Sequence, residues 1–561
     1  MRYVLTLLAL MGTCTVVATA QEAPAGADGE FRDLLDAYMA RFKPLTLASE
    51  AAWWEANTTG TDAAVAKKKA AEQALVDLQS DREVFAHLKA LKDKGQVTDP
   101  VLSRELDVMY RQFVPGQADP QLRKRIVELE NDVEQVFNVY RARVGEQTLT
   151  ENDIRDILAG TTDSAAAEAA WKAYMEVGRK AEATLRELVR LRNEMARSLG
   201  YRDFYAMSLS LQEIDEAELL KLFDELDALT REPFARFKTE LDAARAARFH
   251  IPADELRPWH YGDLFFQEVP EGQDVSLDDL YKNADLLELS KKYYASIGLP
   301  VDDILAHSDL YEKPGKCPHA YSVDLDRAGD VRVLANLKPN IYWADTILHE
   351  LGHGVYDKGI RPDVPFLLHD AAHAITTEGI AEMFGEMSRN EEWLTDVLKV
   401  ERSQVARVGL AARTSQRSGQ LMFSRWAQVM VRFEHGMYSK PDQDLGKLWW
   451  DLKRRYQLLN PPETVDRPDY AAKMHILTTP VYYHSYMLGE LFAAQVRHHI
   501  AWKLLGLADP CATSFRGRLE VGTYLREQIF GPGSLYSWKE LMQRATGEPL
   551  TAKYFAEQFV Q

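Results

Sequence analysis

Two histidines and a glutamate at helical spacing are the residues of this chain that most directly suggest chemistry. They lie in the segment His349-Glu350-Leu351-Gly352-His353. Residues four apart on a helix share one face, so His349 and His353 can hold one metal ion. Glu350, one position further round, can reach a water in the open coordination position of that metal. The spacing therefore predicts a zinc hydrolase site that lacks only a third protein ligand.

The third ligand is predicted on a second apolar helix downstream. Glu378 and Glu382 lie one helical turn apart within the segment 376–386. Buried carboxylates are costly unless they are paired or bind a metal. We therefore interpret Glu378 as the third ligand and Glu382 as an outer acceptor that orients a ligand histidine. The alternative interpretation is that both are ordinary surface glutamates.

A buried helix is predicted to hold the metal-binding motif. The preceding residues 341–348 are mostly apolar and contain no proline, which favours such a helix. Gly352 and Gly354 each cost about 1 kcal/mol of helix propensity relative to alanine. We interpret that cost as a sign of close approach, either by substrate or by a neighbouring helix.

Strand-like segments are few, and two of them come directly before this helix. Residues 321–325 and 331–335 predict a β-hairpin around the intervening segment 326–330. An exposed strand edge could pair with an extended peptide and hold the scissile bond at the metal. His319 and Ala320 precede the first strand and could face that peptide. The alternative for His319 is an exposed loop histidine.

The whole chain has the composition of an acidic, mainly α protein with a sizeable core. It has 561 residues, of which 46% are hydrophobic, and helical periodicity extends over 165–199 and 216–249. The net charge of -18 argues against nucleic acid and anionic membrane surfaces as partners. No linker or repeat marks a domain boundary, so we expect one domain over residues 21–561.

The N-terminus has the features of an export signal. An apolar run over residues 3–17 is followed by a small-x-small cleavage site that ends at Ala20. No later stretch reaches 18 uninterrupted apolar residues, so no membrane span is expected in the mature chain. We therefore expect a secreted or periplasmic protein with a signal peptide at residues 1–20. Cys317 and Cys511 remain after cleavage, and the sequence leaves open whether they pair or stay free.

A second cluster of hydrogen-bonding side chains lies far downstream, from Lys473 to Tyr486. When water attacks a peptide carbonyl, the oxyanion needs donors besides the metal, and a histidine and a tyrosine are suitable. The alternative is a structural role for the tyrosines, because Tyr483 and Tyr486 share a helical face with Glu490 and Met487.

These motifs together resemble those of the M2 metallopeptidases, the angiotensin-converting enzyme family. The resemblance rests on HELGH at 349–353, EGIAE at 378–382, PHA at 318–320 and the K-x-H and YYxxY motifs within 473–486. WEANTT from Trp54 and WWDL from Trp449 extend it over nearly the whole mature chain. It implies a mainly α, two-lobed fold of the zincin type, with a deep central channel and N-terminal helices as a lid. A single catalytic domain of two subdomains, zinc as cofactor and short peptides as substrates are also implied.

The resemblance also assigns roles to individual residues. The general base would be Glu350, which later protonates the leaving amine. The other matched positions are zinc ligands His349, His353 and Glu378, oxyanion donors His475 and Tyr486, and substrate-backbone contacts His319 and Ala320.

Substrate specificity follows from three further matched positions. In the family, a lysine two residues before the oxyanion histidine binds the terminal carboxylate of the substrate with a tyrosine and a glutamine. Lys473, Tyr483 and Gln267 match these residues. A charged anchor at a fixed distance from the metal measures off two residues. The resemblance therefore implies a peptidyl-dipeptidase, and the alternatives are an M3-like oligopeptidase, a single-residue carboxypeptidase, and a retired peptide-binding domain.

Two departures from the family pattern bear on the site. The spacing from His475 to Tyr486 is one residue longer than in the mammalian enzymes, which makes Tyr482 a competitor to Tyr483. Ser485 stands where an arginine of a chloride site precedes the catalytic tyrosine, so the role of chloride is left open. The sequence does not indicate an oligomeric state.

Overall fold

The computed structural model describes residues 26–269, 277–465 and 467–560 of the chain. The signal peptide predicted at residues 1–20 lies outside the described residues. Those residues are 71% helical and contain two small two-stranded sheets. The prediction of a mainly α fold is confirmed.

The α-helices of the N-terminal half are α1 (Ala27–Thr59), α2 (Asp62–Gln79), α3 (Arg82–Lys94), α4 (Pro100–Phe113), α5 (Pro120–Val139), α6 (Glu151–Gly160), α7 (Ser164–Ser198), α8 (Phe204–Leu211), α9 (Glu216–Phe249) and α10 (Asp278–Tyr281). Those that follow are α11 (Leu286–Ser296), α12 (Asp302–His307), α13 (Ile341–Gly359), α14 (Ala374–Gly385), α15 (Arg402–Ser439), α16 (Leu445–Gln457), α17 (Met474–Thr478), α18 (Tyr483–His499), α19 (Leu519–Tyr524), α20 (Trp538–Thr546) and α21 (Lys553–Phe559). Shorter 3₁₀ segments span Val114–Gln117, Ala253–Glu255, Pro258–Tyr261, Phe366–Leu368, Glu386–Arg389, Asp469–Ala472 and Pro510–Ala512, and π segments span Trp393–Val397, Ile500–Leu504 and Leu525–Phe530.

Local side-chain caps explain where several helices begin. The carboxylates of Asp163 and Asp215 accept hydrogen bonds from first-turn N–H groups of α7 and α9. Asn340 caps α13 in the same way, since its Oδ1 accepts from the N–H of Trp343 at 2.9 Å. The helices predicted over 165–199 and 216–249 are confirmed as α7 and α9.

Helices α13, α14 and α18 form a close-packed stack at the centre of the molecule. A Cβ at Gly352 of α13 would lie 2.8 Å from the Cα of Ala381 in α14. A Cβ at Gly379 of α14 would lie 2.8 Å from the carbonyl oxygen of Gly489 in α18. Glycine thus lets these backbones meet. The close approach predicted at Gly352 is made by a neighbouring helix.

A β-hairpin lies beside α13, as predicted. Strands β3 (Tyr321–Asp324) and β4 (Val331–Leu334) pair antiparallel, with Tyr321 opposite Leu334. A Cβ at Gly354 would lie 3.2 Å from Cδ1 of Ile304 and 3.4 Å from Oγ of Ser322, so this part of α13 packs closely against α12 and the hairpin. The other small sheet pairs β1 (Ala142–Val144) with β2 (Gln147–Leu149).

The N-terminal helices have a hydrophobic cluster of their own, built mainly from α1, α3 and α4. Helix α1 also reaches the hairpin, because the rings of Trp53 and Tyr321 lie 4.4 Å apart. The N–H of Cys317 donates to the carbonyl of Asn57 at 2.9 Å. The proposed division into one catalytic domain with an N-terminal lid stays a prediction.

Two further sequence questions concern the cysteines and the membrane. Cys317 and Cys511 are both free thiols. Within the ranges that the structure describes, every helix is too short or too polar to cross a bilayer.

Candidate active site

The side chains of His349, His353 and Glu378 converge on one point between α13 and α14. The Nε2 atoms of the two histidines lie 3.2 Å apart, and each lies 3.7 Å from a different carboxylate oxygen of Glu378. A tetrahedral zinc ion with nitrogen and oxygen ligands at about 2.0–2.1 Å keeps its ligand atoms about 3.3 Å apart. These three residues therefore fit zinc in both donor type and separation.

The second ring nitrogen of each histidine faces an oxygen of α14, within hydrogen-bond distance for His353 and beyond it for His349. Nδ1 of His353 lies 2.7 Å from the hydroxyl of Thr377. Nδ1 of His349 lies 3.8 Å from the Glu382 carboxylate, on the side where an outer acceptor was predicted. Burial lowers the pKa of His353 to about 3, so its imidazole is neutral and able to bind a metal at neutral pH. The sequence interpretation did not include Thr377.

Glu350 lies next to the metal-binding group and is nearly enclosed. Only 7% of Glu350 is exposed, and its carboxylate accepts a hydrogen bond from the backbone N–H of Ser322 in β3. Burial, opposed by His349, raises the pKa of Glu350 to about 7. A carboxyl with a pKa near neutrality can both accept and return a proton, as a general base requires.

His475 and Tyr486 come from α17 and α18 respectively. Burial lowers the pKa of His475 to about 4, so the ring is neutral and can donate one N–H. Burial and the nearby Glu378 carboxylate raise the pKa of Tyr486, so its hydroxyl keeps its proton. Tyr486 lines the same cavity as Glu382, one helical turn from Glu378. Both side chains are thus in the donor state that an oxyanion needs.

Lys473 is a buried cation without a carboxylate partner. Only 7% of the residue is exposed, and its Nζ lies 5.2 Å, 5.4 Å and 5.6 Å from the ring centroids of Phe265, Trp426 and Tyr483. Its Nζ donates to Oε1 of Gln267 at 2.8 Å. Among the described residues, no Asp or Glu lies within ion-pair distance of it. Burial lowers the pKa of Lys473 to about 8.

Tyr482 and Tyr483 differ in their surroundings, which bears on the competition between them. The Tyr483 hydroxyl accepts a hydrogen bond from Nε1 of Trp426 at 2.7 Å, in the same aromatic cluster as Lys473. Tyr482 lies near Glu378 instead, and burial together with that carboxylate raises its pKa to about 12. Of the two tyrosines, Tyr483 is therefore the one that lies beside Lys473. The sequence had also favoured Tyr483 over Tyr482 as the carboxylate-binding tyrosine.

Two residues beside the site have a backbone conformation that side chains rarely adopt. Phe266, directly before Gln267, has a φ of 56°, and Val481, directly before the tyrosine pair, has a φ of 55°. A β-branched residue in this region is strained. The N–H of Val481 donates to the buried carboxyl of Glu434 at 2.7 Å, which stabilises the turn between α17 and α18.

His319 and Ala320 lie on the segment that leads into β3. His319 is exposed and Ala320 is partly buried. Neither residue is part of the metal-binding group formed by His349, His353 and Glu378. Their contact with a substrate backbone stays a prediction.

A cavity of about 730 Å³ adjoins this group of residues. Tyr486 and Glu382 line it near the metal-binding group, and Gln267 lines it next to Lys473. The cavity therefore lies beside residues that contact the candidate metal ligands at one side and Lys473 at the other. Its size is in the range of a small-molecule or peptide site.

Comparison with known proteins agrees with this arrangement. A family model named Peptidase_M2, described as angiotensin-converting enzyme, matches residues 27–559. An angiotensin-converting enzyme-like protein, Ace3 of Mus musculus, is 23% identical over 546 residues, which cover 86% of this chain and 70% of the relative.

Two mammalian angiotensin-converting enzymes are also similar to the chain. The Sus scrofa enzyme is 23% identical over 444 residues, covering 71% of this chain and 32% of the relative. The Oryctolagus cuniculus enzyme is 22% identical over 497 residues, covering 81% of this chain and 36% of the relative. The matched region is thus about a third of the length of these two enzymes.

Proposed function

The chain belongs to peptidase family M2, the angiotensin-converting enzyme family, and on that premise we propose that it is a zinc peptidyl-dipeptidase. In this proposal it releases dipeptides from the C-termini of short, unstructured peptides. His349, His353 and Glu378 would hold the zinc ion, and Glu382 with Thr377 would orient the two histidines. When bound there, zinc polarises a carbonyl oxygen and lowers the pKa of water.

The observation that carries the exopeptidase assignment is the buried, unpaired ammonium of Lys473. A buried charge without a partner costs free energy, and a ligand of opposite charge would relieve that cost. The terminal carboxylate of a peptide has the required charge. Gln267 and Tyr483, which adjoin Lys473, supply further polar groups for the same carboxylate. A fixed carboxylate position selects the bond to be cut by its distance from the metal.

In the proposed mechanism, Glu350 moves the proton. Its carboxylate takes a proton from water as the water oxygen bonds to the scissile carbonyl carbon. The same carboxyl then gives that proton to the nitrogen of the leaving dipeptide as the C–N bond breaks. The second proton of the water leaves the new terminus as it ionises and is taken up by the released amine, so the products are a carboxylate and an ammonium group, and atoms and charges balance. The pKa of Glu350, raised to about 7 by burial, suits both transfers.

His475 and Tyr486 would stabilise the negative charge that develops on the carbonyl oxygen. The neutral imidazole has one N–H to donate, and the tyrosine hydroxyl keeps its proton. Each such donor is worth about 3 kcal/mol of barrier. The edge of β3, with His319 and Ala320 before it, would hold the substrate backbone. The sequence-based expectation of export places this activity outside the cytoplasm.

The proposal is tested by product analysis on paired peptides. A hexapeptide with a free C-terminus and its amidated twin are incubated with the zinc-loaded protein, and products are identified by mass spectrometry. Stepwise loss of dipeptides from the free acid alone is the expected result. Release of single residues would instead indicate a carboxypeptidase, and equal internal cleavage of both peptides would indicate an oligopeptidase.

A variant pair tests the role of the base. We expect Glu350→Gln to lower kcat by about 100- to 10,000-fold while zinc binding is kept. Glu105→Gln serves as the matched control, because Glu105 is another buried glutamate with a raised pKa but lies in α4. Full activity of the Glu350→Gln protein, or cleavage that is unaffected by a zinc chelator, would contradict the mechanism.

A further inference from the structure

The cavity beside the metal-binding group has an unusually acidic wall. Its lining includes five carboxyls, from Glu268, Asp345, Glu382, Glu386 and Glu490, together with one cation, Arg389. Such a set of carboxyls is stable only if cations or hydrogen-bond donors compensate them. Any carboxyl that lacks such a partner within the protein therefore indicates which groups a ligand would have to supply.

Two of the five carboxyls are paired within the protein. Asp345 forms an ion pair with Arg389. Glu386 forms an ion pair with Arg497 at 2.8 Å and accepts a second hydrogen bond from Gln558 at 3.2 Å. These two acids and their partners are thus neutral as pairs, and they do not require a ligand.

Glu382 and Glu490 have no such partner, since no Lys or Arg among the described residues lies within ion-pair distance of either. The exposed Glu268 accepts a hydrogen bond from Gln267 at 3.3 Å. Glu382 lies 3.8 Å from Nδ1 of His349, on the metal side of the cavity. Glu490 is 8% exposed, and one of its oxygens, Oε1, accepts from Nε2 of Gln420 at 2.7 Å. Burial without a compensating cation therefore disfavours the charged form of Glu490.

Two buried acceptor atoms on this wall have no hydrogen-bond donor among the residues that the structure describes. They are Oε2 of Glu490 and Oε1 of Gln420. A buried acceptor without a donor costs about 1–3 kcal/mol, and more if it is charged. Both atoms belong to residues that line the cavity. A ligand that fits here must therefore bring N–H donors, and a positive charge would add to their effect.

The position of the cavity identifies which part of a peptide would enter it. Gln267 lines the cavity and binds the ammonium of Lys473, the proposed anchor of the terminal carboxylate. The residue that bears this carboxylate is the last residue of the substrate. Its side chain leaves the same Cα atom as the carboxylate and would project into the adjoining cavity.

We propose that this cavity binds a basic side chain, arginine or lysine, on the C-terminal residue of the peptide, with Glu490 as its ion-pair partner. Gln420 and Glu382 would accept the remaining N–H groups. This inference rests on the proposed function, since it names the substrate class of that same site. Burial beside Glu382 and Glu386 raises the pKa of Glu490 well above its usual range, and a bound cation would lower it again. The carboxylate and the cation of such a residue would then each meet an unpaired opposite charge.

Peptides that end in arginine or in citrulline test the proposal. Citrulline has nearly the shape of arginine but carries no charge, so the pair isolates the contribution of the cation. The probes are two N-blocked tripeptides that differ only in this last residue. We expect kcat/KM to be about tenfold or more higher for the arginine peptide. A ratio near one for the unaltered enzyme would overturn the proposal and leave dipeptide release intact.

Variants assign the preference to the proposed residues. The arginine-to-citrulline ratio should fall to near one in Glu490→Gln and should decrease in Gln420→Leu. Glu105→Gln, which changes a buried glutamate outside the cavity, should keep the ratio of the unaltered protein. A ratio that is the same in Glu490→Gln and Gln420→Leu as in the unaltered protein would overturn the assignment.

A binding measurement separates failure of this inference from failure of the proposed function. The Glu350→Gln protein should bind the two tripeptides without turnover, and calorimetry then gives both affinities. An affinity about tenfold higher for the arginine peptide would support binding of a basic side chain in the cavity, even if the unaltered protein cleaves neither peptide. Equal affinities would overturn it.

Discussion

The hydroxyl of Thr377 lies 2.7 Å from Nδ1 of His353, so the residue directly before one candidate metal ligand orients another. The contact links α14 to α13 at the metal-binding group. Partners of this kind fix the tautomer and the ring orientation of a ligand histidine.

We expect Thr377→Val to weaken zinc binding by about 10- to 100-fold, because the isosteric side chain cannot accept or donate a hydrogen bond. Competition with a chelator of known affinity measures this change. Thr239→Val is the control, since the Thr239 hydroxyl bonds only to the carbonyl of Ala235 on the exposed face of α9. Equal zinc affinity in both variants would mean that the Thr377 contact does not position His353.

The activity should fall at high pH because of Lys473. Burial lowers the pKa of this ammonium to about 8, so the charged form exists below that pH and is lost above it. Binding of a terminal carboxylate needs the charged form. We therefore expect kcat/KM for a free-acid peptide to fall above pH 8, since this parameter reports the pKa values of the free enzyme.

The assignment of that pH limb to Lys473 can be checked by substitution. In Lys473→Gln, kcat/KM should be lower throughout and should not fall in this way above pH 8. The measurement is a pH profile of kcat/KM for the two proteins with the same peptide. An unchanged alkaline limb in the variant would show that a different group is responsible.

The turn before α18 should depend on the acceptor that Glu434 provides. Val481 has a φ of 55°, and its buried N–H donates to the Glu434 carboxyl at 2.7 Å. Glu434→Met removes the acceptor, and we expect a loss of about 1–3 kcal/mol in the free energy of unfolding. Because Tyr483 and Tyr486 follow this turn, kcat/KM should fall as well.

Glu434→Gln is the matched control for that prediction, since an amide oxygen can still accept from the Val481 N–H. Its free energy of unfolding, measured by denaturant titration, should stay closer to that of the unaltered protein. If both variants lost the same stability, the hydrogen bond from the Val481 N–H would not account for the loss.

The contact between α14 and α18 should not tolerate a methyl group at position 379. A Cβ at Gly379 would lie 2.7 Å from Cδ1 of Phe492 and 2.8 Å from the carbonyl of Gly489. We expect Gly379→Ala to destabilise the protein by about 1–3 kcal/mol. It should also weaken zinc binding, because Glu378 would move with the helix.

Gly160→Ala is the control, because a Cβ at Gly160 would have no neighbour within 4 Å. Thermal unfolding with and without zinc measures both effects. A smaller zinc-dependent increase in Tm for Gly379→Ala alone is the expected result. Equal zinc-dependent increases in Tm in the two variants would contradict the prediction, because they would show that packing at Gly379 does not affect zinc binding.

The metal-binding group could be predicted from the sequence because helical geometry fixes it locally. The spacing of His349 and His353 determines their common face, and the cost of burying carboxylates drew attention to Glu378 and Glu382, of which Glu378 joins the histidines. The hairpin β3–β4 was also predictable, since both of its strands are close in sequence. Thr377 is adjacent to a recognised ligand, so a search for side-chain partners one position away would have found it.

Features that depend on distant contacts could not be predicted in this way. Lys473 and Gln267 are far apart in sequence, and only the family resemblance paired them before the structure did. The unpaired acceptors of Glu490 and Gln420 depend on how α18 faces α15. The positive φ of Val481 has no sequence signal, because a valine is the residue least expected to adopt it.

The buried charge of Lys473 also gives a bound peptide a direction. A peptide that placed its N-terminus at Lys473 would bring an ammonium group against the buried ammonium, and like charges repel strongly where little water screens them. A peptide that placed its C-terminus there would bring the opposite charge. The two ends of every substrate would then be distinguished at Lys473, before any peptide bond is cut.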